Sequence, residues 1–165
     1  MYENEQWHRH LGAYGICIHE EELLVIKKSS GPYIGRYDLP GGTIEPNETL
    51  TDAIRREIKE EAGIDIHIKK NVGVCDYIVP YVLSKRGTSH IHHVAIFYLV
   101  QYKGGNLLVN PGTFEGQDSL GALWIPLSDL SADNSSPLVL QAMDWLKSGE
   151  LPLNVQRLDD WVVKA

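Results

Sequence analysis

The chain has 165 residues, of which 43% are hydrophobic and 22% charged, and this composition suits one compact globular domain spanning residues 1–165. Its formal net charge of −7 at pH 7 argues against a nucleic acid polymer as partner, because such binding depends on clustered Lys and Arg. The N-terminus is polar and no apolar run is long enough to cross a bilayer, so we expect a cytosolic protein without a membrane partner.

The first elements of the chain are predicted to be β-strands. The segments LGAYGICI and ELLVIKK are rich in apolar residues, and the acidic turn at 20–22 between them predicts a strand pair. The following segment, SSGPYIGRYDLPGG, is typical of an ordered loop that ends in a tight turn at Gly41 and Gly42. Cys17 and Cys75 lie in apolar, strand-like segments outside any metal-ligand or disulfide spacing, so we expect both to be buried thiols.

A helix is predicted from Thr49 to Ala62, with both of its ends marked. Thr49 suits the N-cap, with Asp52 three residues later, and Gly63 suits a left-handed stop. An apolar stripe that would dock one edge of this helix against the core is formed by Leu50, Ile54 and Ile58.

The second half of the chain is predicted to extend the sheet. NVGVCDYIVPYVLS and HIHHVAIFYLVQY are rich in β-branched and aromatic residues, and KRGT between them predicts an antiparallel hairpin. After a polar loop, LWIPL predicts a short strand. A C-terminal helix and tail occupy residues 135–165: the helix follows the cap Ser136, starts at Pro137 and ends before Gly149, whereas the tail fits no clear element type.

Three glutamates share one face near the end of the first predicted helix. At about 100° per residue, Glu57, Glu60 and Glu61 fall within an arc of roughly 100°. Like charges repel there, and the helix dipole disfavours negative charge at this end. A solvated acidic helix would intersperse opposite charges, and only the pair Arg56 with Glu60 does so, in the weaker order. The pattern therefore predicts a hard cation, Mg²⁺ or Mn²⁺, held by the carboxylates and by backbone oxygens of the LPGG turn.

The segment GGTIEPNETLTDAIRREIKEEAGI resembles the Nudix box, the signature of the Nudix hydrolase family. Every defined position of that pattern, from 42 to 64, is filled: Gly42, Glu48, Arg56, Glu57, Ile58, Glu60, Glu61, Gly63 and Ile64. Because so many positions are filled, the match is much more specific than a lone short motif. The flanking segments GRYDLPGG and LGALWIPLSDL also resemble Nudix surroundings, although Tyr37 stands where the family often has Trp.

The resemblance implies an α+β fold, an α/β/α sandwich with a mixed β-sheet between helices. It also implies hydrolysis of a pyrophosphate bond in a small molecule of the ADP-ribose, nucleotide sugar or nucleoside triphosphate type, with Mg²⁺ or Mn²⁺ as cofactor. The implied residues are catalytic Glu57, Glu60, Glu61 and Arg56, metal-binding Glu57, Glu60, Glu61 and Gly41, and supporting Glu48 and Gly42. A guanidinium can hold a carboxylate in a fixed fork, which is the supporting role expected for Arg56 and Glu48. The sequence is compatible with a homodimer.

Four further side chains could reach the same site. Glu45 lies in the turn between Gly42 and the predicted helix, and Glu115 and Asp118 lie in a loop where some Nudix enzymes keep an extra acid. A polar loop with solvated acids is an equal alternative for those two. Arg36 could bind a substrate phosphate with two parallel hydrogen bonds, and an exposed loop arginine is the alternative.

Histidines and aromatic residues of the predicted strands allow weaker interpretations. We interpret His90, His92 and His93 as structural, because no carboxylate or Cys spacing of a metal site accompanies them. Several aromatic residues could stack on a nucleotide base or could simply belong to the core: Tyr14, Tyr33, Tyr77, Tyr81 and Trp124. Pro80 resembles a downstream proline of ADP-ribose-cleaving Nudix enzymes.

Two classes of function are compatible with this sequence. The first is a metal-dependent hydrolase, and the second is a Nudix-fold module or regulator that binds a nucleotide without cleaving it. The complete box favours the hydrolase, because a pure binder has no need for three acids at the unfavourable end of a helix. A Nudix-fold isomerase of prenyl diphosphates would need an additional acid and cysteine, and the sequence offers no clear pair.

Overall fold

The computed structural model describes residues 4–109 and 119–164. Within them the chain has the predicted α+β architecture, a mixed sheet with two α-helices. The strands are β1 (Trp7–His19), β2 (Glu22–Lys28), β3 (Tyr37–Asp38), β4 (Gly41–Thr43), β5 (Asp65–Leu83), β6 (Thr88–Gly104), β7 (Ser119–Pro126) and β8 (Gln156–Arg157). The helices are α1 (Leu50–Ala62) and α2 (Pro137–Ser148), and two short 3₁₀ turns lie at Ser84–Arg86 and Leu127–Asp129.

The first strand pair forms as predicted, but it is short. β1 and β2 are antiparallel only next to their turn, with Ile18 opposite Leu23 and His19 opposite Glu22. Beyond that point β1 runs parallel to β6, and β2 runs antiparallel to β7. The strand order is β3-β2-β1-β6-β5-β8, with β4 also paired to β1 and β7 to β2. The sheet therefore divides into two parts that share the β1–β2 hairpin.

The second half of the chain builds the longest antiparallel pair of the sheet. β5 and β6 are joined by the turn at Ser84–Arg86 and by Gly87, whose φ of 62° is left-handed, which confirms the predicted hairpin. The segment predicted only as a loop contains the short strand β3 and the start of β4. The tail adds one more strand, because β8 pairs in parallel with β5.

The two helices cover opposite faces of the sheet, which confirms the sandwich. Neighbouring residues of β1 alternate between two core clusters: Tyr14 and Ile16 pack in the cluster that includes α2, whereas Ala13 and Cys17 pack in the cluster that includes α1. This alternation follows from the two-residue period of a strand buried on both faces. The sheet thereby fixes the position of α1, which carries the acidic residues.

Both cysteines are buried free thiols, as predicted. Burial is the main cause that raises the pKa of Cys17 and of Cys75 to about 11. In the two described ranges, no helix has both the length and the apolar character needed to span a membrane.

Candidate active site

The LPGG turn brings backbone close to α1. β4 pairs with β1, with Gly41 opposite Tyr14 and Gly42 opposite Ala13. Gly41 has φ of 146°, and a Cβ on it would lie 2.2 Å from the Ala13 carbonyl oxygen, so only glycine fits there. The Gly41 N–H donates to Glu61 Oε1 at 3.2 Å. The turn and the helix are therefore in direct polar contact.

Local sequence fixes the boundaries of α1, as predicted. The Thr49 side chain accepts a hydrogen bond from the Asp52 N–H, and Gly63 closes the helix with φ of 74°. Ile54 and Ile58 are fully buried, whereas Lys59 is exposed. The docked face of α1 fixes the direction in which the neighbouring glutamates point.

The three glutamates of α1 have different environments. Glu61 is only 3% exposed, and the side chains of Glu57 and Glu60 are 15% and 46% exposed. The carboxyl groups of Glu57 and Glu61 are neighbours that influence each other's ionisation. Burial raises the pKa of Glu57 and the charge of Glu60 acts in the same direction, while the neighbouring Glu61 and Arg56 oppose them. Neighbouring carboxyl groups that are both ionised repel, and a proton or a cation relieves that repulsion.

Arg56 is the main counter-charge of the acidic cluster. Its guanidinium donates two hydrogen bonds to the Glu48 carboxylate, from Nε to Oε2 at 2.6 Å and from Nη2 to Oε1 at 2.9 Å. Its Nη1 donates to Glu57 Oε1 at 2.9 Å and to Glu60 Oε2 at 3.2 Å. The hydrogen bond to Glu48 is the largest cause that raises the pKa of Arg56, and the same contact lowers the pKa of Glu48. The guanidinium thus has the position expected of a residue that orients the acids.

The cluster offers oxygen donors suited to a hard divalent cation, but they are not all converged. In residues 4–109 and 119–164, no three His, Cys, Asp or Glu side chains form a group that could hold a metal ion. Glu57 and Glu61 already adjoin each other, whereas Glu60 points to Arg56. Space near Glu57 exists because residue 42 is glycine: a Cβ there would lie 3.0 Å from Glu57 Oε1. The all-oxygen donor set has the chemistry that suits Mg²⁺ or Mn²⁺.

The remaining predicted site residues occupy varied positions. Glu45 lies at the edge of the cluster, with Oε1 3.8 Å from Arg56 Nη1. Arg36 is only 8% exposed and its guanidinium lies over the ring of Trp161, at 4.1 Å from the centroid, so it is not an exposed loop arginine. Its binding of a phosphate stays a prediction, as does coordination through the Gly41 carbonyl. Glu115 and Asp118 lie outside the described residues.

A cavity of about 430 Å³ lies on the α2 side of β1, and Asp38, the residue before the LPGG turn, is part of its lining. Its walls come from β1, from the segment 28–33, from the β5–β6 hairpin and from Asp38, and they include Tyr14, Tyr33 and His93. Tyr14 lies opposite Gly41 in the sheet, but its side chain packs on the α2 side, so the backbone of these two residues lies between this wall and the acidic cluster of α1. A cavity of this volume is in the range of small-molecule sites.

His93 is the buried centre of this wall. Its Nε2 lies 2.8 Å from the Tyr14 hydroxyl and its Nδ1 lies 2.8 Å from the Tyr33 hydroxyl. Burial lowers the pKa of His93 well below its usual value, so the ring is neutral. This environment agrees with a structural role for His93, and no local sequence pattern predicts its tyrosine partners. His93 reaches Tyr14 because β6 pairs in parallel with β1, and parallel pairing between distant segments leaves no local signal.

Comparison with known proteins gives one consistent result. Residues 8–146 match the model of the NUDIX domain family. The chain is 32% identical over 133 residues to the ADP-ribose pyrophosphatase of Methanocaldococcus jannaschii, covering 79% of this chain and 71% of that protein. It is also 32% identical over 132 residues to the 8-oxo-dGDP phosphatase NUDT18 of Mus musculus, covering 80% of this chain but only 35% of that protein.

Solved structures agree with the sequence matches. The MutT NUDIX hydrolase of Burkholderia pseudomallei is 25% identical, with a TM-score of 0.62 over 83% of this chain and 97% of that chain. A NUDIX hydrolase of Nitrosomonas europaea is 19% identical, with a TM-score of 0.64 over 88% of this chain and 94% of that chain, and it supports the fold alone. With the family signature filled and residues 8–146 matched, the chain belongs to the Nudix family of hydrolases.

Proposed function

We propose that this protein is a Mg²⁺- or Mn²⁺-dependent hydrolase of a pyrophosphate bond in a small nucleoside diphosphate derivative. The observation that carries the proposal is the cluster of carboxyl groups at the LPGG turn: the buried Glu61 accepts a hydrogen bond from the Gly41 N–H, and the half-buried Glu57 lies beside Gly42 and Arg56. A divalent cation would relieve the repulsion between the ionised carboxylates of this cluster. The cation also offsets the formal charge of −7, which opposes an anionic substrate.

Each residue of the cluster has a role in this proposal. Glu57, Glu60 and Glu61 would hold the metal, together with the Gly41 carbonyl. The bound metal would supply charge neutralisation on the diphosphate and a water of lowered pKa. Arg56 keeps the carboxylates oriented through its fork on Glu48 and its contact with Glu57, and Glu57 accepts the proton of the attacking water.

The substrate class is proposed from the relatives and from the cavity. The M. jannaschii relative is named for ADP-ribose and the mouse relative for 8-oxo-dGDP. The cavity lined by Tyr14, Tyr33 and His93 could receive the part of such a molecule that extends from its diphosphate. Small cytosolic molecules of the ADP-ribose, nucleotide sugar or nucleoside triphosphate type are therefore the proposed substrates.

A substrate panel tests this function. Purified protein would be assayed with ADP-ribose, 8-oxo-dGDP, nucleoside triphosphates and sugar nucleotides, in Mg²⁺, Mn²⁺, Zn²⁺ or a chelator. We expect release of a nucleotide product from at least one compound with Mg²⁺ or Mn²⁺, little with Zn²⁺ because all proposed ligands are oxygens, and none in chelator. Tight binding of a nucleotide without cleavage in any metal would favour the non-catalytic binding module.

A further inference from the structure

The C-terminal tail, residues 156–164, is anchored to the sheet beyond the region that matches the family. The match ends at residue 146. Gln156 pairs with Tyr77 on the outer side of β5, and the Leu158 N–H donates to the Ile78 carbonyl at 2.9 Å. The Gln156 amide also donates to Gln141 Oε1 of α2 at 2.8 Å. These contacts fix the course of the tail across the domain.

From this anchor, Trp161 reaches a segment that we call the cavity loop, residues 29–36. Its indole N–H donates to the Pro32 carbonyl at 2.8 Å. Its ring meets the edge of Tyr33, with centroids 5.7 Å apart, and the Arg36 guanidinium lies 4.1 Å from its centroid. One tryptophan thus contacts three residues of a single loop through three different interactions.

Backbone hydrogen bonds close the base of the cavity loop, with the Lys28 N–H donating to the Arg36 carbonyl and the Gly35 N–H donating to the Lys28 carbonyl. Its internal hydrogen bonds, such as Ile34 N–H to Gly31, are short-range, so the contacts of Trp161 add to the support at the tip of the loop. Among the described residues, Arg36 Nε and Nη1 have no hydrogen-bond partner although they are buried. A buried guanidinium is costly unless another interaction compensates it, and the face of Trp161 provides one.

The loop in turn forms one wall of the cavity that Tyr14 and His93 line. Pro32 and Tyr33 line the cavity, and the Tyr33 hydroxyl lies 2.8 Å from His93 Nδ1. Tyr33 is therefore held from the sheet side by His93 and from the tail side by Trp161. Because Trp161 does not line the cavity itself, any effect on a ligand would pass through the loop.

We propose that Trp161 is a positioning residue: the tail clamps the cavity loop and thereby sets the shape of the cavity that binds the nucleoside part of the substrate. The inference rests on the proposed function, since it assigns the cavity to the substrate of the acidic cluster. It adds a determinant of substrate binding outside the segment that matches the family.

The test compares Trp161→Ala with Trp161→Phe and with the control Trp145→Ala. Trp145 is a similar control because it is also half-buried and has a cation, Lys70 Nζ, 5.9 Å from its ring centroid. Hydrogen–deuterium exchange would be measured on residues 29–36, and KM and kcat on the best substrate of the panel. We expect Trp161→Ala to speed exchange in the loop and to raise KM about tenfold, with kcat within about twofold, as for the loss of a few weak contacts. Trp161→Phe keeps the ring and loses the N–H, so it should recover most of the parent KM. Trp145→Ala should destabilise the protein without either effect.

The exchange measurement needs neither metal nor turnover, so it separates the two proposals. If no compound is hydrolysed, the proposed function fails, while the exchange data still decide whether the tail holds the loop. Unchanged exchange in Trp161→Ala would overturn the inference. So would a faster-exchanging loop with an unchanged KM, or an equal rise of KM in Trp145→Ala.

Discussion

At the scale of single residues, Arg56 changes how the acidic face of α1 is understood. The helix pattern predicts one weak ion pair for it, with Glu60, and an unfavourable cluster of acids, and the family resemblance adds a supporting role together with Glu48. In the fold it contacts Glu48 and Glu57 as well, at 2.6 Å and 2.9 Å. The electrostatic cost of the cluster is therefore smaller than the helix pattern alone suggests. What remains is the pair of the buried Glu61 and the half-buried Glu57, which Arg56 neutralises only in part.

Glu57→Gln separates stability from function at this pair. The swap is nearly isosteric and removes a charge whose burial is unfavourable, so the variant should unfold in chelator at a temperature close to that of the parent. Mg²⁺ should stabilise the parent by mass action and the variant much less, and turnover should fall by a factor of about 100 or more. Thermal unfolding with and without Mg²⁺, beside hydrolysis rates, measures both. Glu150→Gln, an exposed glutamate outside the cluster, is the charge-matched control. A variant that keeps the Mg²⁺ response and the rate of the parent would show that Glu57 is not a metal ligand.

His93 makes the stability of the fold depend on pH. Its folded pKa is well below the unfolded value because of burial, so the unfolded chain binds a proton first as the pH falls. The contribution of neutral His93 to the unfolding free energy is present above about pH 6.5. Below that pH the unfolding free energy declines by up to about 1.4 kcal/mol per pH unit, until His93 is protonated in the folded protein too. His93→Gln keeps a donor and an acceptor but does not titrate. Its unfolding free energy should fall less steeply between pH 6.5 and 5 than that of the parent. His67→Gln, at an exposed position, should keep the parent slope, and equal slopes in all three proteins would rule out this effect.

At the scale of elements, the sequence predicts helix ends and turns, which depend on neighbouring residues, but it does not predict the pairing of strands that are distant in the chain. The ends of α1 and α2 follow from Thr49, Gly63, Ser136 and Gly149, because caps act within one helical turn. The β5–β6 hairpin also carries its own turn. The parallel pairing of β1 with β6 and the docking of the tail join distant segments, so neither is encoded in a local pattern. The family signature identified the acidic residues and the supporting role of Arg56, while the contact of Arg56 with Glu57 and the position of Arg36 under Trp161 needed the fold.

The contact between β4 and α1 predicts opposite outcomes for two adjacent glycines. Gly41→Ala places a Cβ 2.2 Å from the Ala13 carbonyl at a φ of 146°, so it should disrupt β4 and strongly destabilise the protein. Gly42→Ala meets only the end of the Glu57 side chain, at 3.0 Å, so it should leave unfolding nearly unchanged and reduce turnover about tenfold or more by displacing that carboxylate. Gly104→Ala, with nothing within 4 Å of its Cβ, is the neutral control. Circular dichroism melts and hydrolysis rates would measure the two effects, and full activity in Gly42→Ala would show that the site tolerates a displaced Glu57.

At the scale of the whole molecule, one sheet separates two core clusters that support different parts of the protein. The cluster on the α1 side supports the acids, whereas the cluster on the α2 side supports the tail and the cavity wall. Both clusters are built on the same strands, since alternate residues of β1 and β2 enter each of them. Loss of packing in either one should therefore weaken the same cooperative unfolding transition.

Matched core truncations test whether the two clusters support different parts of the protein. Ile58 of α1 and Leu138 of α2 are both fully buried, so Ile58→Ala and Leu138→Ala should each lower the unfolding free energy by about 2–5 kcal/mol in a single transition. Their effects on the metal site should differ, because Ile58 fixes the face of α1 that lies beside Glu57 and Glu61, whereas Leu138 packs across the sheet. We expect the rise in melting temperature on adding Mg²⁺ to shrink in Ile58→Ala and to stay at the parent value in Leu138→Ala. Calorimetry of both variants with and without Mg²⁺ gives the comparison. If the Mg²⁺ response falls equally in both variants, it follows global stability, and the packing of α1 has no special part in holding the acids.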